Sequence, residues 1–508
     1  MRHGLPTVLL GLVLIGAAPL PAQSQPPAPI AGSGAMPLPV GPRTQPLTLE
    51  EAERLFVERN LTVIAARHGV AAARAQRLVA SSLPPPQITV GNTIAEFNET
   101  NRRSFQGARL LSPSNNIAAG ISFLIERGGK RTLRTRLAEE SISVAEAQVL
   151  DALRIQLFQL RQAFFAALQA RANLEVALAN RASLDRTEAL LRRQLRDGAI
   201  PEGDLLRFQA SRLPFESDVT TNAQAYAAGV AAVAALVAAD PAAFQPGAGQ
   251  LPALSINPSA PGALAPAGGR APAPPGPARA PTTVQTILSP VAFDLRGRFD
   301  QMPELRIGRE ELAQGVLSRA DVVAAQRQVS AANVNRQLQE AARSRDVTVN
   351  GSWSRTRMQQ DLPAASNPNE MVSANNQFAL SLSIPIFTSR IVEGNVGIAA
   401  AQAAQAEAVA RNTLLRARSE FAAAWAAYEQ ARALLSLYTG GALNRAEEAY
   451  RSTEQAYLAG GRSLLDVLDA LRTLNATRIA TNQAHYAYLL ALAQLELATG
   501  VSGIVPRL

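Results

Sequence analysis

The sequence predicts a mainly helical protein made of two copies of one unit, in which a pair of β-strands precedes a long helical hairpin. The first observation is a glycine-containing turn that occurs twice, since 262 residues separate Gly198 from Gly460 and also Asp204 from Asp466. The second is apolar spacing of three and four residues along alanine-rich stretches, which is typical of helices that pack side by side. The third is strict alternation in a pair of short segments in each copy.

The amino terminus has the features of a secretory signal. A basic start precedes an apolar run at 7–18 and a small-residue cleavage site, so we assign residues 1–24 to a signal peptide. The run of 12 residues is shorter than the ~20 that a spanning helix needs. Residues 25–46 are rich in proline, glycine and alanine and predict an extended tether. The mature protein is therefore expected to leave the cytoplasm.

The first copy covers residues 47–239. Its predicted elements are, in order, a helix at 49–82, strands at 87–94 and 116–125, a long helix at 130–196 and a returning helix at 204–239. The long helix would measure ~100 Å at ~1.5 Å per residue. Such a length does not fit inside an ordinary globular domain, so we expect an elongated body.

An Ala/Pro/Gly-rich linker at 240–290 separates the first copy from the second, which covers 291–500 and is followed by a short tail at 501–508. The second copy repeats the order of elements, with a helix at 303–343, strands at 347–353 and 377–384, a long helix at 392–457 and a last helix at 463–498. Its second strand has the clearest alternation in the chain. There the apolar residues Phe378, Leu380, Leu382 and Ile384 alternate with Ala379, Ser381 and Ser383.

The turn in the second copy has local chemistry that predicts a helical hairpin. Gly460 and Gly461 can take the positive φ that ends a helix. Ser463, with Asp466 three residues later, has the form of a capping box that starts the next helix.

The alternating strands leave two interpretations open. They could form a small capping sheet at the end of a soluble helical bundle, or they could cross a membrane as strands. Four strands cannot close a barrel, because small closed barrels need ~8 or more. A membrane barrel would therefore need several copies of the chain, and a trimer would supply twelve strands.

Composition excludes several classes of function. The chain contains no cysteine, so disulfides, thiolate metal sites and cysteine nucleophiles are absent. In the mature chain only His68 and His485 are histidines, and no clustered metal-ligand spacing or cofactor motif is present. No nucleophile elbow or phosphate loop points to an enzyme. The net charge of +9 comes from arginines scattered along helices, which predicts solvated faces and no nucleic-acid site.

The paired turns and the order of elements resemble the TolC-type outer-membrane efflux channel family from about residue 47 to residue 500. In the second turn the resemblance is carried by Tyr457, Gly460, Arg462, Asp466, Val467, Leu468, Asp469 and Ala470. In the first turn it is carried by Gly198, Asp204, Leu205 and Leu206.

The resemblance implies a fold that is mainly α with a membrane β-barrel. A homotrimer would form a twelve-stranded barrel in the cell outer membrane and an α-helical barrel in the periplasm. It would be the passive conduit of a tripartite efflux or type I secretion system, and its partners would be outer-membrane lipid, a periplasmic adaptor protein and an inner-membrane pump. The implied aperture residues are Tyr457, Arg462, Asp466 and Asp469. The implied adaptor-docking turns contain Gly198, Asp204, Leu205, Leu206, Gly460, Gly461, Ser463 and Leu464.

The linker at 240–290 is long for the connection between the copies. This length puts in question the ordered belt that the resemblance implies around the middle of the helical barrel.

The alternative function is a periplasmic coiled-coil adaptor or scaffold protein. Adaptors carry a single hairpin within small β domains, whereas here the whole strand-and-helix unit occurs twice, and this favours the channel.

Overall fold

A computed structural model describes residues 45–94, 115–239, 255–256, 282–283, 293–297, 304–360 and 371–506. The predicted signal peptide, nearly all of the tether and most of the linker at 240–290 lie outside the described residues. The polar loops between the strands of each copy lie largely outside them as well.

The helices and strands follow the predicted order. The helices are α1 (Leu49–Arg59), α2 (Leu61–Ser81), α3 (Lys130–Arg196), α4 (Glu202–Leu236), α5 (Arg309–Gly315), α6 (Ala320–Ala341), α7 (Ser389–Leu437), α8 (Leu443–Leu458) and α9 (Leu464–Thr499). The strands are β1 (Gln45–Leu47), β2 (Gln87–Ile94), β3 (Asn115–Ile125), β4 (Ser255–Ile256), β5 (Thr282–Thr283), β6 (Phe293–Leu295), β7 (Val347–Gln360) and β8 (Met371–Ser383). The predicted long helix at 130–196 is confirmed with the same bounds.

The single helix predicted at 49–82 is wrong, because the chain breaks between α1 and α2 at Asn60. The Asn60 backbone is extended, and its side-chain oxygen accepts a hydrogen bond from the Val63 backbone N–H, so that it caps α2. Its side-chain amide also donates to the Leu236 carbonyl at 2.9 Å. Asn60 therefore connects the start of α2 to the end of α4.

Two predicted helices of the second copy are also interrupted. The stretch predicted as one helix at 303–343 contains α5, a short 3₁₀ turn at Val316–Ser318 and α6, with extended backbone at Arg319. The stretch at 392–457 is broken by a π segment, Tyr438–Ala442, in which Gly441 has φ +104°. A residue with a side chain rarely takes that conformation, so the Gly440–Gly441 pair marks the break. In the first copy, α3 runs without a break.

Strand β1 shows that the end of the predicted tether is part of the fold. It pairs in parallel with β6, and Leu47 and Leu295 are both buried. The β6 segment is held by Arg171, whose guanidinium contacts the Asp294 carboxylate at 2.9 Å and donates to the Leu295 carbonyl at 2.6 Å. The tether is therefore corrected at Gln45, where strand structure begins.

The helices pack around one long apolar core to which both copies contribute. Large side chains of α3, including Phe164 and Phe165, lie in it beside Tyr226 of α4 and Tyr488 of α9. Each copy supplies one of these tyrosines, at equivalent positions of the repeat. No helix in the described part of the chain combines the length and the apolar character that a membrane crossing requires.

Arginines fix the carboxyl end of α9 to its neighbours. Arg319, only 2% exposed, donates to the Ala498 carbonyl at 3.2 Å and to the Glu420 carboxylate of α7 at 2.7 Å. Arg154 of α3 donates to the Leu497 carbonyl. The last carbonyls of a helix lack partners within the helix, and cations are favourable there. The break before α6 therefore places Arg319 where it satisfies the end of α9.

Both copies contribute to one antiparallel sheet with the order β2-β3-β7-β8. The two copies meet where β3 pairs with β7, and Ala119 lies opposite Trp353. Strand β8 extends the sheet with Leu380 opposite Gly351. The helix-proximal end of the sheet is the end at which β3 enters α3 and β8 enters α7.

The register confirms that the predicted apolar positions within the strands share one face, while Ile384 lies one residue beyond the end of β8. We call this the apolar face, and its apolar members are Ile88, Val90, Ile117, Ala119, Ile121, Phe123, Ile125, Val347, Val349, Trp353, Phe378, Leu380 and Leu382. Over residues 89–93, 118–124, 348–354 and 377–383, the opposite face is small and polar apart from Leu124, and it contains Thr89, Gly91, Thr93, Ala118, Gly120, Ser122, Thr348, Asn350, Ser352, Ser354, Gln377, Ala379, Ser381 and Ser383.

Candidate functional site

The two turns lie together at the end of the helices that is remote from the sheet. A small apolar cluster joins the two hairpins there, and it contains Leu184, Leu191, Phe208, Phe215, Leu468 and Leu471. Leu205 and Leu464 are half-buried and pack against this cluster, whereas Leu206 and Leu465 are exposed. Of the leucines predicted to dock a partner, Leu206 is therefore placed outward, and Leu465 is an exposed neighbour that sequence reasoning did not single out.

The first turn is closed by Gly198, whose φ is +73°. Helix α4 then begins after Pro201, and no side chain caps it. Asp204 lies in the first turn of α4, where a carboxylate is favourable beside the unpaired N–H groups. Since no capping box uses it, this carboxylate is available for contacts with the second turn.

The second turn has the predicted geometry at three of four positions. Gly460 has φ +78°, and Ser463 and Asp466 form a complete capping box at the start of α9. Gly461 does not have positive φ, so that part of the prediction is wrong. The Gly461 N–H instead donates to the Ala456 carbonyl at 2.8 Å and closes the end of α8.

The carboxylates of the second turn have different surroundings. Asp466 accepts hydrogen bonds from the Ser463 backbone N–H and hydroxyl, each at 3.0 Å. These bonds lower the pKa of Asp466, and the positive charge of Arg462 lowers it further. Asp469 is exposed, one turn of α9 away from this cap. Asp466 therefore serves as a helix cap, while the Asp469 carboxylate faces solvent.

Tyr457 of the second turn lies close enough to Asp204 of the first turn to feel its charge. The ring is partly buried, and this burial together with the negative charge of Asp204 raises the pKa of its hydroxyl. Like an ordinary tyrosine hydroxyl, it is protonated at neutral pH and can donate a hydrogen bond. Arg462 is exposed. Sequence reasoning placed Tyr457 and Asp204 in separate roles, whereas the fold brings them near each other.

Ion pairs hold the first hairpin more tightly than the second. Glu188 of α3 accepts from Arg192 and from Arg212 of α4, each at 2.6 Å. Arg212 also contacts Glu216 at 2.8 Å. In the described part of the second hairpin, the salt bridge between α8 and α9 joins Arg478 and Glu447 at 2.7 Å. Ion pairs therefore join the two helices of the first hairpin, and the second turn lies beside that hairpin.

We expect Ser463→Ala to cost ~1 kcal/mol of stability by removing the side-chain half of the cap. Because the folded pKa of Asp466 is lowered, its contribution is present above its ordinary pKa and is lost as the pH falls through the lowered value. Thermal unfolding of Ser463→Ala and of Ser463→Thr should be compared at neutral and acidic pH. Equal midpoints for all forms at neutral pH would show that the cap adds no stability.

Among the described residues, no three histidine, aspartate or glutamate side chains lie close enough together to form a metal site.

The exposed apolar face of the sheet is the second candidate functional surface. Sequence reasoning missed the contribution of β7 to this face, because Val347, Val349 and Trp353 become part of it only through the register with β3.

Comparisons with known proteins agree with the resemblance drawn from the turns. Residues 312–501 match the family described as Outer membrane efflux protein. A search of curated proteins finds no significant match.

Solved structures match nearly the whole chain. The Campylobacter jejuni CmeC outer membrane channel is 16% identical, with a TM-score of 0.64 and coverage of 89% of this chain and 85% of that one. The Neisseria gonorrhoeae MtrE outer membrane channel, in its open state, is 18% identical, with a TM-score of 0.63 and coverage of 89% of each chain. The Vibrio cholerae outer membrane protein VceC is 18% identical, with a TM-score of 0.60 and coverage of 89% and 96%. The fold is therefore that of these channels.

Proposed function

We propose that this chain is the subunit of a trimeric efflux channel in the outer membrane. The match of residues 312–501 to the outer membrane efflux protein family and the likeness of the fold to solved channels support this proposal. The channel is a passive conduit for solutes that a periplasmic adaptor and an inner-membrane pump deliver to it. An efflux conduit needs no catalytic group, and we assign no enzymatic activity to the chain.

The observation that carries the proposal is the exposed apolar face. In a single chain, Ile88 is 76% exposed, Leu380 78% and Phe378 82%. A soluble protein rarely leaves a contiguous apolar surface of this kind in water. On a barrel strand, lipid-facing and lumen-facing positions alternate, so the small and polar opposite face fits a water-filled lumen.

Arginines border the apolar face at a spacing that fits a bilayer. Arg345 and Arg355 precede and follow the apolar positions of β7, and both are exposed. Ten residues at ~3.3 Å each, on a strand tilted by ~40°, span ~25 Å along the barrel axis. The apolar band of outer-membrane barrels has about the same height, ~25 Å. Trp353 and Phe378, paired near one border, suit the aromatic girdle of such a band.

The free edges of the sheet support assembly from three copies. Strands β2 and β8 each have a partner on one side only within the described chain. Exposed strand edges promote pairing with another chain, and closure into a barrel removes them. If β8 of one copy pairs with β2 of the next, three copies give a closed twelve-stranded barrel.

The turns at the opposite end are the proposed adaptor-docking surface and aperture. Exposed Leu206 and Leu465 can pack against a partner helix, while Tyr457, Arg462 and Asp469 supply polar groups around the axis of a trimer. The alternative of an adaptor or scaffold protein is not favoured, since both copies contribute strands to one shared sheet with an exposed apolar face.

Membrane fractionation and chemical crosslinking test the proposal directly. We expect the mature chain in the outer-membrane fraction, crosslinked as a trimer, and we expect conductance when the detergent-purified protein is added to planar bilayers. Recovery of a soluble monomer from the periplasm, without conductance, would refute the proposed function.

A further inference from the structure

The connections at the helix-proximal end of the sheet carry an excess of positive charge. The segments 126–131, 343–346 and 387–390 contain six arginines or lysines and two carboxylates. Both carboxylates are already paired: Asp346 contacts Lys130 at 2.8 Å, and Glu126 accepts from Arg134 at 2.9 Å. Arg127 and Arg345 are exposed and form no salt bridge with any described residue.

The register places these two arginines on the border of the apolar face. The last β3–β7 pair is Ile125 opposite Val347, and continuing the alternation by two residues sets Arg127 opposite Arg345 on the same face. The Arg127 backbone N–H donates to the Asp346 carboxylate at 3.0 Å, which shows that the two connections remain adjacent beyond the sheet. The chain therefore places the two arginines at neighbouring positions where the apolar surface ends.

Exposed apolar side chains lie in the third connection at the same end. Ile386 is exposed, and Phe387 is 87% exposed with φ +58°. A bulky residue at positive φ is strained, and such strain persists only where the surroundings impose it. The exposed ring of Phe387 lies in a region rich in cationic residues. Aromatic and cationic residues together are typical of a surface that contacts lipid headgroups and upper acyl chains.

We propose that Arg127 and Arg345 bind the phosphodiester groups of anionic phospholipids in the membrane leaflet nearest the helices. This inference rests on the proposed function, because it requires the apolar face to lie in a bilayer. Guanidinium groups match phosphate oxygens with paired N–H donors. The unbalanced positive charge of the connections favours a headgroup with net negative charge, such as phosphatidylglycerol, over zwitterionic phosphatidylcholine.

Spin-labelled lipids can separate insertion from headgroup recognition. The full mature chain is reconstituted in phosphatidylcholine vesicles, and electron paramagnetic resonance measures the motionally restricted fraction of spin-labelled phosphatidylglycerol and phosphatidylcholine. We expect the native chain to select phosphatidylglycerol by at least ~5-fold, since each arginine near an anionic surface contributes about that factor. Arg127→Gln with Arg345→Gln should lower the selectivity several-fold.

Matched variants make the result specific. Arg327→Gln with Arg418→Gln removes the same charge from exposed positions on α6 and α7 and should leave the selectivity unchanged. Arg127→Lys with Arg345→Lys keeps the charge and should retain most of it. Inorganic phosphate at the concentration of the labelled lipid should not displace phosphatidylglycerol, and displacement would contradict a lipid site.

The two proposals fail in different ways. If the glutamine pair at 127 and 345 inserts and keeps the native selectivity, the phospholipid site is wrong while the channel proposal stands. If no variant, the native chain included, restricts any spin-labelled lipid, the chain does not enter the bilayer and the proposed function is refuted as well.

Discussion

Arginine in place of Leu380 is expected to block assembly of the channel in the membrane. Leu380 is 78% exposed on the apolar face and lies opposite Gly351, near the middle of the band between Arg345 and Arg355. An arginine that faces lipid near the bilayer midplane costs ~2–4 kcal/mol. A trimer carries the substitution three times, so the loss is repeated around the barrel.

Ser381→Arg is the matched control for this prediction. Ser381 is the next residue of β8 and belongs to the small and polar face opposite Leu380. A guanidinium there would enter the lumen, where water solvates it, so Ser381→Arg should insert at nearly the native level. Both variants should be quantified as heat-resistant trimer in the outer-membrane fraction. Equal insertion of the two variants would contradict the assigned faces of the sheet.

The faces of the sheet were predictable because they depend on local alternation. In the predicted strands at 116–125 and 377–384, apolar residues occupy every second position, and a shift of one residue would reverse every side chain, so alternation determines which residues share a face. The order of the strands and the role of β7 were less predictable. Arg355 and Asn350 lie among the apolar residues of that strand, and only pairing with β3 identifies its faces.

The helix breaks at Asn60 and Arg319 were missed because these two residues act over long distances, unlike the local Gly440–Gly441 pair. Asn60 has the propensity of a cap, but its second bond is to the Leu236 carbonyl, 176 residues away in sequence. The backbone is not helical at Arg319, and its side chain donates hydrogen bonds to the Glu420 carboxylate and the Ala498 carbonyl. Periodicity continues through both positions, so the pattern alone predicts unbroken helices.

The second turn shows the same contrast between local and distant contacts. Its capping box joins Ser463 and Asp466, three residues apart, and could be predicted from their spacing. The proximity of Tyr457 to Asp204 depends on how the two copies fold against each other, which no local pattern contains. The structure thus assigns Asp466 to the cap and leaves Asp469 as the better test of charge at the proposed aperture.

The second large effect is expected when both Tyr457 and Arg462 are replaced. In one chain, Tyr457 of the second turn lies near Asp204 of the first hairpin, and Arg462 is exposed. In the proposed trimer these two side chains would hold the second turn in place, so their loss would free it while the first hairpin keeps its Glu188 and Arg212 ion pairs. We expect Tyr457→Phe with Arg462→Ala to raise the resting conductance in planar bilayers several-fold.

Charge at the same turn is tested by a separate variant, because conductance and ion selectivity report different properties. Three exposed Asp469 carboxylates around one axis would form an acidic ring that favours cations. Asp469→Asn should therefore lower the cation preference without changing stability, whereas Asp466→Asn should chiefly weaken the cap of α9. If Tyr457→Phe with Arg462→Ala leaves conductance unchanged and Asp469→Asn leaves selectivity unchanged, the turn is a helix cap and docking surface, and the constriction lies elsewhere along the helical tube.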